Sequence, residues 1–378
     1  MTGPLLGLVV NPVAGLGGRV GLKGSDGEDL QRRARALGAR PSSTARAALT
    51  LCQLTGVELL TAEGSMGADA AEAAGLPARV VHRPATTART TAAETRAAVR
   101  ALAAAGVELL LFCGGDGTAR DVLDALGPRS PLPVLGIPAG VKMHSAVFAV
   151  HPRAAAEVVA AWARGGADVR LEAAEVVDRD DSALREGRVS ARLYGRLTVP
   201  VLPARVQQRK TGASAAPDPS AVGGIAAEVA ERVGPGGLLL LGPGGTTHAV
   251  ATALGAADAC LTGVDLLLLR PDGTARVLRR DARADQLRGL PAAPWIALSP
   301  IGGQGFLLGR GNQQLTPELL RTAGRERLLV LATEAKLAAL AGRPLLLDTG
   351  DPELDRALSG HVRVITGRRS SAVYRLSA

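Results

Sequence analysis

The sequence predicts an N-terminal α/β domain with a mostly parallel sheet, followed by a β-rich C-terminal domain. In the first half, short apolar runs alternate with amphipathic stretches, which is typical of parallel strands covered by helices. From about residue 171, short strand-like runs separated by polar turns replace this alternation. The length of 378 residues also exceeds what one hydrophobic core usually fills, so two domains are expected.

The first domain is predicted to span residues 1–167. Several of its apolar runs are uninterrupted, which indicates strands buried on both faces of a sheet. The predicted strands are Leu5–Val10, Val57–Thr61, Ala78–His82, Val107–Cys113 and Val134–Ile137. The predicted helices are Asp29–Leu37, Thr91–Ala105, Thr118–Leu126 and His151–Arg164. Thr90 or Thr91 is placed to cap the second helix, with Glu94 completing a capping box.

The second domain is predicted to span residues 168–378, with the boundary near Gly165–Asp168. A strand–helix unit is expected at Leu238–Leu254, and an exposed loop rich in small residues and proline at Gln207–Pro219. The remaining apolar runs predict strands at Leu171–Val177, Leu197–Leu202, Val264–Leu269, Trp295–Leu298, Leu328–Ala332 and Val362–Thr366.

Composition excludes several classes of protein. No apolar run reaches the length of a membrane span and no signal-type segment opens the chain, so we expect a cytoplasmic protein without membrane attachment. Three widely spaced cysteines give neither a disulfide framework nor a zinc motif. The net charge of +9 comes from arginines scattered along the chain, with few aromatic residues to stack on bases. We therefore expect no specific nucleic-acid binding.

The segment with the clearest chemistry is Gly114-Gly115-Asp116-Gly117-Thr118, which follows an apolar strand and precedes a helix. Glycines allow a ligand to approach the backbone, and a helix N-terminus offers unpaired N–H groups, so phosphate is the expected ligand. A carboxylate among phosphates is repelled unless it faces a hydroxyl, a ribose or a metal ion. The alternative is a tight strand–helix turn in which Asp116 only caps the helix.

Two further glycine-rich segments follow predicted strands, at residues 11–18 and 136–145. Because carboxyl ends of parallel strands meet at one edge of a sheet, all three loops should open there. Asn11, Gly15 and Gly17 in the first of these segments are candidate phosphate-binding residues.

Basic side chains near these loops are candidate phosphate neutralisers. Only four of the 44 basic residues are lysines, and Lys23 and Lys142 lie beside the glycine-rich loops, where a mobile ammonium differs from a guanidinium. Arg310 is a third candidate, whereas Lys336 is predicted to lie in an ordinary helix. For each candidate, a solvated surface charge is the alternative.

A few other polar residues leave two interpretations open. His144 either contacts a phosphate or ribose, or is a structural histidine. The amides at residues 312–314 either read a base and ribose or tie loops together. Asp265 and Asp351 lie near glycines and could help hold a metal ion, although their spacing defines no metal motif.

These motifs together resemble the ATP-NAD kinase superfamily, whose GGDGT hallmark is matched at every position by Gly114–Thr118. Its AcoX-like branch is most similar, in residues 11–18, 136–145, 301–306 and 309–314. A second-domain motif of NAD kinases, T-P-T-G-S-T-A-Y, resembles residues 242–249. The likeness covers nearly the whole chain, although GGDGT alone also occurs in lipid kinases.

The resemblance implies the fold of NAD kinases and diacylglycerol kinases, with NAD bound between two domains of a homo-oligomer. It implies that Asp116 is the general base for the reacting ribose hydroxyl, and that Gly114, Gly115, Gly117 and Thr118 hold phosphates. The expected substrates are ATP, or another phosphate donor, and NAD, with Mg²⁺ or another divalent cation; the metal ligands are unknown.

The acceptor residues depart from the family pattern. The family's Asn-Glu pair corresponds to Ala174-Glu175, so only Glu175 carries over. Gly244, Gly245, Thr246 and Thr247 carry over as acceptor-binding residues, but Ala249 replaces the motif's tyrosine. Two alternatives to NAD kinase therefore stay open: a kinase for a lipid alcohol or small metabolite, and a nucleotide-binding regulator that lacks turnover.

Overall fold

Two compact units make up the described part of the chain. The computed structural model describes residues 3–22, 27–85, 90–141, 143–166, 168–179, 191–203, 205–206 and 218–378. Of these, residues 3–16 and 27–206 belong to the first unit, and residues 17–22 and 218–378 to the second. The described residues between 168 and 206 therefore belong to the first unit, whereas the expected boundary at 167/168 assigns them to the second domain.

The first unit contains a five-stranded sheet in the order β3-β2-β1-β4-β5, with every pairing parallel. Leu8, Leu111 and Leu135 are aligned across its centre and are fully buried, which explains the continuous apolar runs. The mostly parallel sheet predicted for the N-terminal domain is confirmed. Its strands are β1 (Leu5–Val10), β2 (Glu58–Ala62), β3 (Arg79–His82), β4 (Leu109–Gly114) and β5 (Val134–Pro138).

Helices connect these strands: α1 (Glu28–Ala36), α2 (Ser43–Leu51), α3 (Ala68–Ala73), α4 (Ala92–Ala104), α5 (Asp116–Leu126) and α6 (Pro152–Ala163). Neither α2 nor α3 was predicted, because both are short and place few large apolar residues at helical spacing. The Thr91 side chain accepts the N–H of Glu94, as expected. The Glu94 carboxylate instead contacts Nε2 of His82 at 3.3 Å, so the capping box is only half formed.

An antiparallel hairpin of β6 (Arg170–Arg179) and β7 (Ala191–Val201) completes the first unit. The hydroxyl of Ser145 donates to the carbonyl of Val177 at 2.8 Å and accepts the N–H of the same residue at 3.0 Å. The N–H of Ala146 donates to the carbonyl of Glu175 at 3.0 Å. These bonds explain why the hairpin belongs to the first unit.

The second unit contains an eight-stranded mixed sheet in the order β10-β9-β8-β11-β12-β14-β15-β13. The pairs β8–β11, β11–β12 and β12–β14 are parallel, and β8–β9, β9–β10 and β14–β15 are antiparallel. The strands are β8 (Leu238–Leu241), β9 (Asp265–Leu269), β10 (Ala275–Arg279), β11 (Trp295–Leu298), β12 (Leu328–Leu331), β13 (Leu345–Leu346), β14 (Gly360–Gly367) and β15 (Ser370–Ser377).

Both faces of this sheet are covered. Leu240 and Val330 face one apolar cluster, while Leu239 and Leu329 face another, as the two-residue period of a strand requires. The helices are α7 (Pro219–Val233), α8 (Gly245–Ala253), α9 (Pro317–Ala323), α10 (Glu334–Ala338) and α11 (Pro352–Leu358). Across the described ranges, no helix combines the length and apolarity that a membrane span needs.

A buried ion pair lies in the second unit. The side chains of Arg310 and Asp348 are 3% and 2% exposed and form a salt bridge. The Arg310 guanidinium also lies 4.4 Å from the ring centroid of Phe306. Removing one partner of such a pair leaves an uncompensated charge in the interior, which is strongly destabilising.

We expect Asp348→Ala to lower the free energy of unfolding by about 3 kcal/mol or more, because Arg310 stays buried without its counter-ion. Asp285→Ala is the control, since Asp285 pairs with Arg283 while its side chain is 56% exposed, and a loss below about 1 kcal/mol is expected there. Urea unfolding of both variants measures the difference. Equal losses would contradict a special contribution from the buried pair.

Candidate phosphate-binding site

Three loops meet at the carboxyl edge of the five-stranded sheet, as predicted. A hydrogen bond connects the loop after β1 to β4: the N–H of Asn11 donates to the carbonyl of Cys113 at 2.9 Å. The loop after β5 is joined to the end of β4 because the N–H of Ala139 donates to the carbonyl of Gly114 at 2.8 Å. The glycine-rich segments therefore form one connected backbone surface.

Glycine is required where these loops touch. A Cβ atom on Gly115 would lie 3.2 Å from the Cα of Gly140, and one on Gly114 would lie 2.3 Å from the hydroxyl oxygen of Thr118. Gly15 has a φ of +76°, and a Cβ there would lie 2.3 Å from the carbonyl oxygen of Ala139. Part of the glycine pattern is thus explained by contact between loops, independently of any ligand.

Asp116 occupies the first turn of α5, where its side chain is only 5% exposed. One carboxylate oxygen accepts the N–H of His144 at 2.7 Å and lies 3.2 Å from Nδ1 of the same residue. The other oxygen accepts the N–H of Ser145 at 3.0 Å. The carboxylate thus binds the loop after β5 and does not cap its own helix, for which Gly115 is the N-cap residue.

The N-terminus of α5 supplies donors suited to an anion. The first intrahelical bond runs from the N–H of Ala119 to the carbonyl of Gly115, so the N–H groups of Asp116, Gly117 and Thr118 precede it. Such groups, with the helix dipole, favour phosphate. The hydroxyl of Thr118 is buried and accepts a hydrogen bond from Nδ2 of Asn11 at 2.9 Å. Both side chains therefore hold the loop in place.

A buried thiol lies directly before the loop. The Sγ of Cys113 donates to the carbonyl of Ser43 in α2 at 3.3 Å, and Arg46 of the same helix donates to the carbonyl of Pro138. Burial raises the pKa of the Cys113 thiol to about 12. The thiol therefore stays protonated at neutral pH and provides no nucleophile.

Three further predicted phosphate ligands and the predicted acceptor residue Glu175 lie elsewhere in the chain. Lys23 and Lys142 lie outside the described residues. Gly17 belongs to the second unit, where its carbonyl accepts the N–H of Leu22 at 2.9 Å. Glu175 lies in β6, its carbonyl bonded to the loop that holds Asp116 and its carboxylate 3.8 Å from Arg196.

The predicted acceptor loop follows β8 in the second unit and leads into α8. Gly244 is the N-cap residue with a φ of +136°, and its carbonyl accepts the hydroxyl of Thr247 at 2.9 Å. Gly245 begins the helix and is exposed, whereas Thr246 is 6% exposed. This loop therefore repeats the strand–glycine–helix arrangement of Gly114–Thr118.

Lys336 lies beside this loop, although the sequence predicted only an ordinary helix for it. Its ammonium nitrogen donates to the hydroxyls of Thr246 at 3.1 Å and Ser299 at 2.9 Å. These groups meet because β8, β11 and β12 are adjacent and parallel, so the segments after them share one edge. The rarity of lysine in this chain was the available signal.

The remaining candidates have structural roles. Arg310 is paired with Asp348 inside the unit, so it is not the phosphate neutraliser that was considered. Asn312 ties its own loop together, accepting the N–H of Gly309 and donating to the carbonyl of Leu307, both at 2.9 Å. Burial raises the pKa of Asp265, which accepts backbone N–H groups.

A metal cage is also absent from the described ranges. Asp351 caps α11 and pairs with Arg321, so it does not serve the metal role considered for it. Throughout those ranges, no three His, Cys, Asp or Glu side chains are grouped to hold a metal ion.

A glycine loop at the carboxyl edge of a parallel sheet, followed by the N-terminus of a helix, defines a site suited to phosphate groups. Residues 6–167 match the ATP-NAD kinase N-terminal domain, and residues 270–376 match the ATP-NAD kinase C-terminal domain. Together the two matches cover most of the chain. The chain belongs to the ATP-NAD kinase family.

Solved structures show more distant likenesses. A diacylglycerol kinase from Bacillus anthracis str. Sterne is 16% identical over 48% of this chain and 47% of its own, with a TM-score of 0.23. A second protein from that strain, assigned as a diacylglycerol kinase, is 12% identical over 73% of this chain and 64% of its own, also with a TM-score of 0.23. This chain thus spans about half of the first structure. No curated protein sequence matches it.

We expect Gly15→Ala to destabilise the first unit more than Gly106→Ala. Both glycines have φ near +77°, at +76° and +78°, but a Cβ on Gly106 would meet no atom within 4 Å. Each variant therefore bears the same cost, about 1 kcal/mol, of placing alanine at a positive φ. Only Gly15→Ala also forces the loops apart. Chemical unfolding measures stability, and calorimetry measures ATP binding, which should weaken only in Gly15→Ala. Identical effects would rule out the loop contact as the cause.

Proposed function

We propose that this protein is an NAD kinase that transfers the γ-phosphoryl group of ATP, or of another phosphate donor, to the 2′-hydroxyl of the adenosine ribose of NAD(H). The observation that carries the proposal is the buried Asp116 carboxylate, which lies in a glycine loop at the N-terminus of a helix, where phosphate binding is favoured. Membership of the ATP-NAD kinase family through both domains supports NAD as the acceptor.

The first unit binds the transferred phosphates in this proposal. Phosphoryl transfer requires alignment and neutralisation of charge more than covalent help. The N–H groups from Asp116 to Thr118 supply fixed dipoles. Gly114 and Gly115 allow the loop to pack closely against Thr118 and Gly140. Asn11 and Gly15 hold the neighbouring loop against them.

Mg²⁺ is the cation expected with ATP. In this proposal it enters the site bound to the phosphates of ATP. Magnesium usually keeps several waters and takes its remaining ligands from phosphates and one or two carboxylates. In the part of the chain that the structure describes, Asp116 is the carboxylate of the phosphate loop, and both its oxygens already accept hydrogen bonds. We therefore assign no side chain as a metal ligand.

We assign the pyrophosphate of the acceptor to Gly244–Thr247 in the second unit. The N-terminus of α8 offers N–H groups to a pyrophosphate, and the ammonium of Lys336 at Thr246 adds positive charge to the same loop. The contacts to adenosine differ from those of typical NAD kinases, since Ala174 and Ala249 replace the family's asparagine and tyrosine.

One assay tests this proposal and its alternatives. The purified chain is incubated with Mg²⁺, ATP and one acceptor at a time: NAD, NADH, diacylglycerol or a panel of small alcohols. Mass spectrometry follows which acceptor gains one phosphoryl group, and NADP or NADPH is expected. Phosphorylation of diacylglycerol alone would replace NAD by a lipid alcohol. Nucleotide binding without any phosphorylated product would favour the remaining alternative, a nucleotide-binding regulator that lacks turnover.

We expect Asp116→Asn to lower kcat by about 10²–10⁴, the range for loss of proton-transfer catalysis. Asp121→Asn is the matched control, because Asp121 lies in the same helix and pairs with Arg96 at 2.8 Å, away from the loop. Its turnover should stay within about threefold of wild type, well below that loss. Steady-state kinetics compares the two variants, and equal turnover would remove Asp116 from the reaction.

We expect Lys336→Met to raise KM for NAD about tenfold and to leave KM for ATP nearly unchanged, as loss of a charge-assisted contact of about 1.4 kcal/mol predicts. Lys336→Arg should recover part of the loss, because the charge remains but the reach differs. Initial-rate kinetics with each substrate varied in turn gives both constants. An equal rise in both KM values would indicate a general structural defect.

A further inference from the structure

The imidazole of His144 is paired with the carboxylate of Asp116. Nδ1 of His144 lies 3.2 Å from the carboxylate oxygen that also accepts the backbone N–H of His144. The imidazole is 19% exposed, and the carboxylate is 5% exposed. The histidine is therefore the more accessible member of the pair.

The carboxylate has little room for a substrate hydroxyl. A carboxylate offers about four acceptor positions, and Asp116 already receives the N–H groups of His144 and Ser145 and faces Nδ1 of His144. These contacts approach it from the loop after β5 and bury it. A hydroxyl that gave its proton directly to Asp116 would have to reach the remaining acceptor position of a carboxylate that is only 5% exposed.

The same contacts orient the imidazole. A neutral imidazole with its proton on Nδ1 donates that proton to the carboxylate and leaves Nε2 as an acceptor. Nε2 of His144 forms no hydrogen bond with any residue in the described ranges. A buried carboxylate that holds a histidine in one tautomer is the arrangement by which hydrolases make histidine a base.

We propose that His144 is the catalytic base and that Asp116 is its positioning residue; this inference rests on the kinase function proposed above. Nε2 takes the proton of the acceptor hydroxyl, and the oxygen of that hydroxyl forms a bond to the γ-phosphorus of ATP. The bond between that phosphorus and the β,γ-bridging oxygen breaks, and ADP leaves with the electron pair. The imidazolium is stabilised by the Asp116 carboxylate and later releases its proton to water.

The tautomer of His144 is the first test, and it needs no substrate. Protein with ¹⁵N-labelled histidine is studied by NMR at a pH at which free imidazole is neutral, and His144→Gln assigns the signals. The wild type should carry the proton on Nδ1, and Asp116→Asn should weaken that preference, because a neutral amide oxygen is a weaker acceptor than a carboxylate. A wild-type imidazole protonated on Nε2 would overturn the proposal.

Kinetics with chemical rescue is the second test. His144→Gly should lower kcat by about 10²–10⁴, and added imidazole should restore at least about tenfold of that loss. His82→Gly is the matched control, because His82 forms a similar pair with Glu94, at 3.3 Å, outside the glycine loops. It should keep wild-type kcat and show no response to imidazole. Wild-type turnover in His144→Gly, or a loss that imidazole never relieves, refutes the role of His144.

The two tests separate this inference from the proposed function. Rescue measured with an acceptor other than NAD supports the base and corrects only the acceptor. Absence of any phosphorylated product from the wild type refutes the kinase function and, with it, catalysis by His144, even where NMR shows the proton on Nδ1. If the wild type makes NADP but carries the proton on Nε2, the role of His144 as a base positioned by Asp116 is refuted and the kinase function remains.

Discussion

The Asp116 carboxylate accepts backbone N–H groups from the loop after β5, and the arrangement of the first unit depends on those bonds. Through Ser145, whose N–H it binds and whose hydroxyl bonds both backbone groups of Val177, the carboxylate is connected to the β6–β7 hairpin. A single acidic side chain thus links the ends of β4 and β5 with a hairpin distant in sequence. These bonds also explain how a negative charge is tolerated in a phosphate loop, since backbone dipoles compensate it.

The glycine loops of the two units are stabilised by opposite charges. In the first unit a carboxylate from the helix reaches the neighbouring loop, whereas in the second unit the ammonium of Lys336 reaches the hydroxyls of Thr246 and Ser299. Both arrangements follow from parallel strands, because consecutive loops then lie side by side at one edge. A single charged group can therefore organise two loops, and it stays close to any anion that the helix N-terminus attracts.

Glycine has two separate uses at this edge. Gly15, Gly115 and Gly140 allow backbones to touch one another, and this constraint exists before any ligand binds. In the N-terminal turns of α5 and α8, Gly117 is partly exposed and Gly245 is exposed, and there a ligand can use the same lack of side chains. A motif of glycines is thus evidence for close packing as well as for phosphate, and the adjacent polar residues distinguish the two.

The sequence by itself determined the parallel sheet of the first unit and the place of Gly114–Thr118 at the junction of a strand and a helix, because continuous apolar runs and glycine clusters are local signals. It also indicated the strand–helix unit at β8 and α8. Helices α2 and α3 were missed, since burial by neighbouring elements decides the conformation of such short segments.

Only the tertiary structure decided which side chains meet. The pairs His144 with Asp116 and Lys336 with Thr246 are 28 and 90 residues apart, and no spacing rule connects residues across that distance. The same holds for the hairpin, which resembles the second half in sequence texture but is bonded to the first unit. A side chain's role depends on the atoms around it, and those atoms are brought together by the fold.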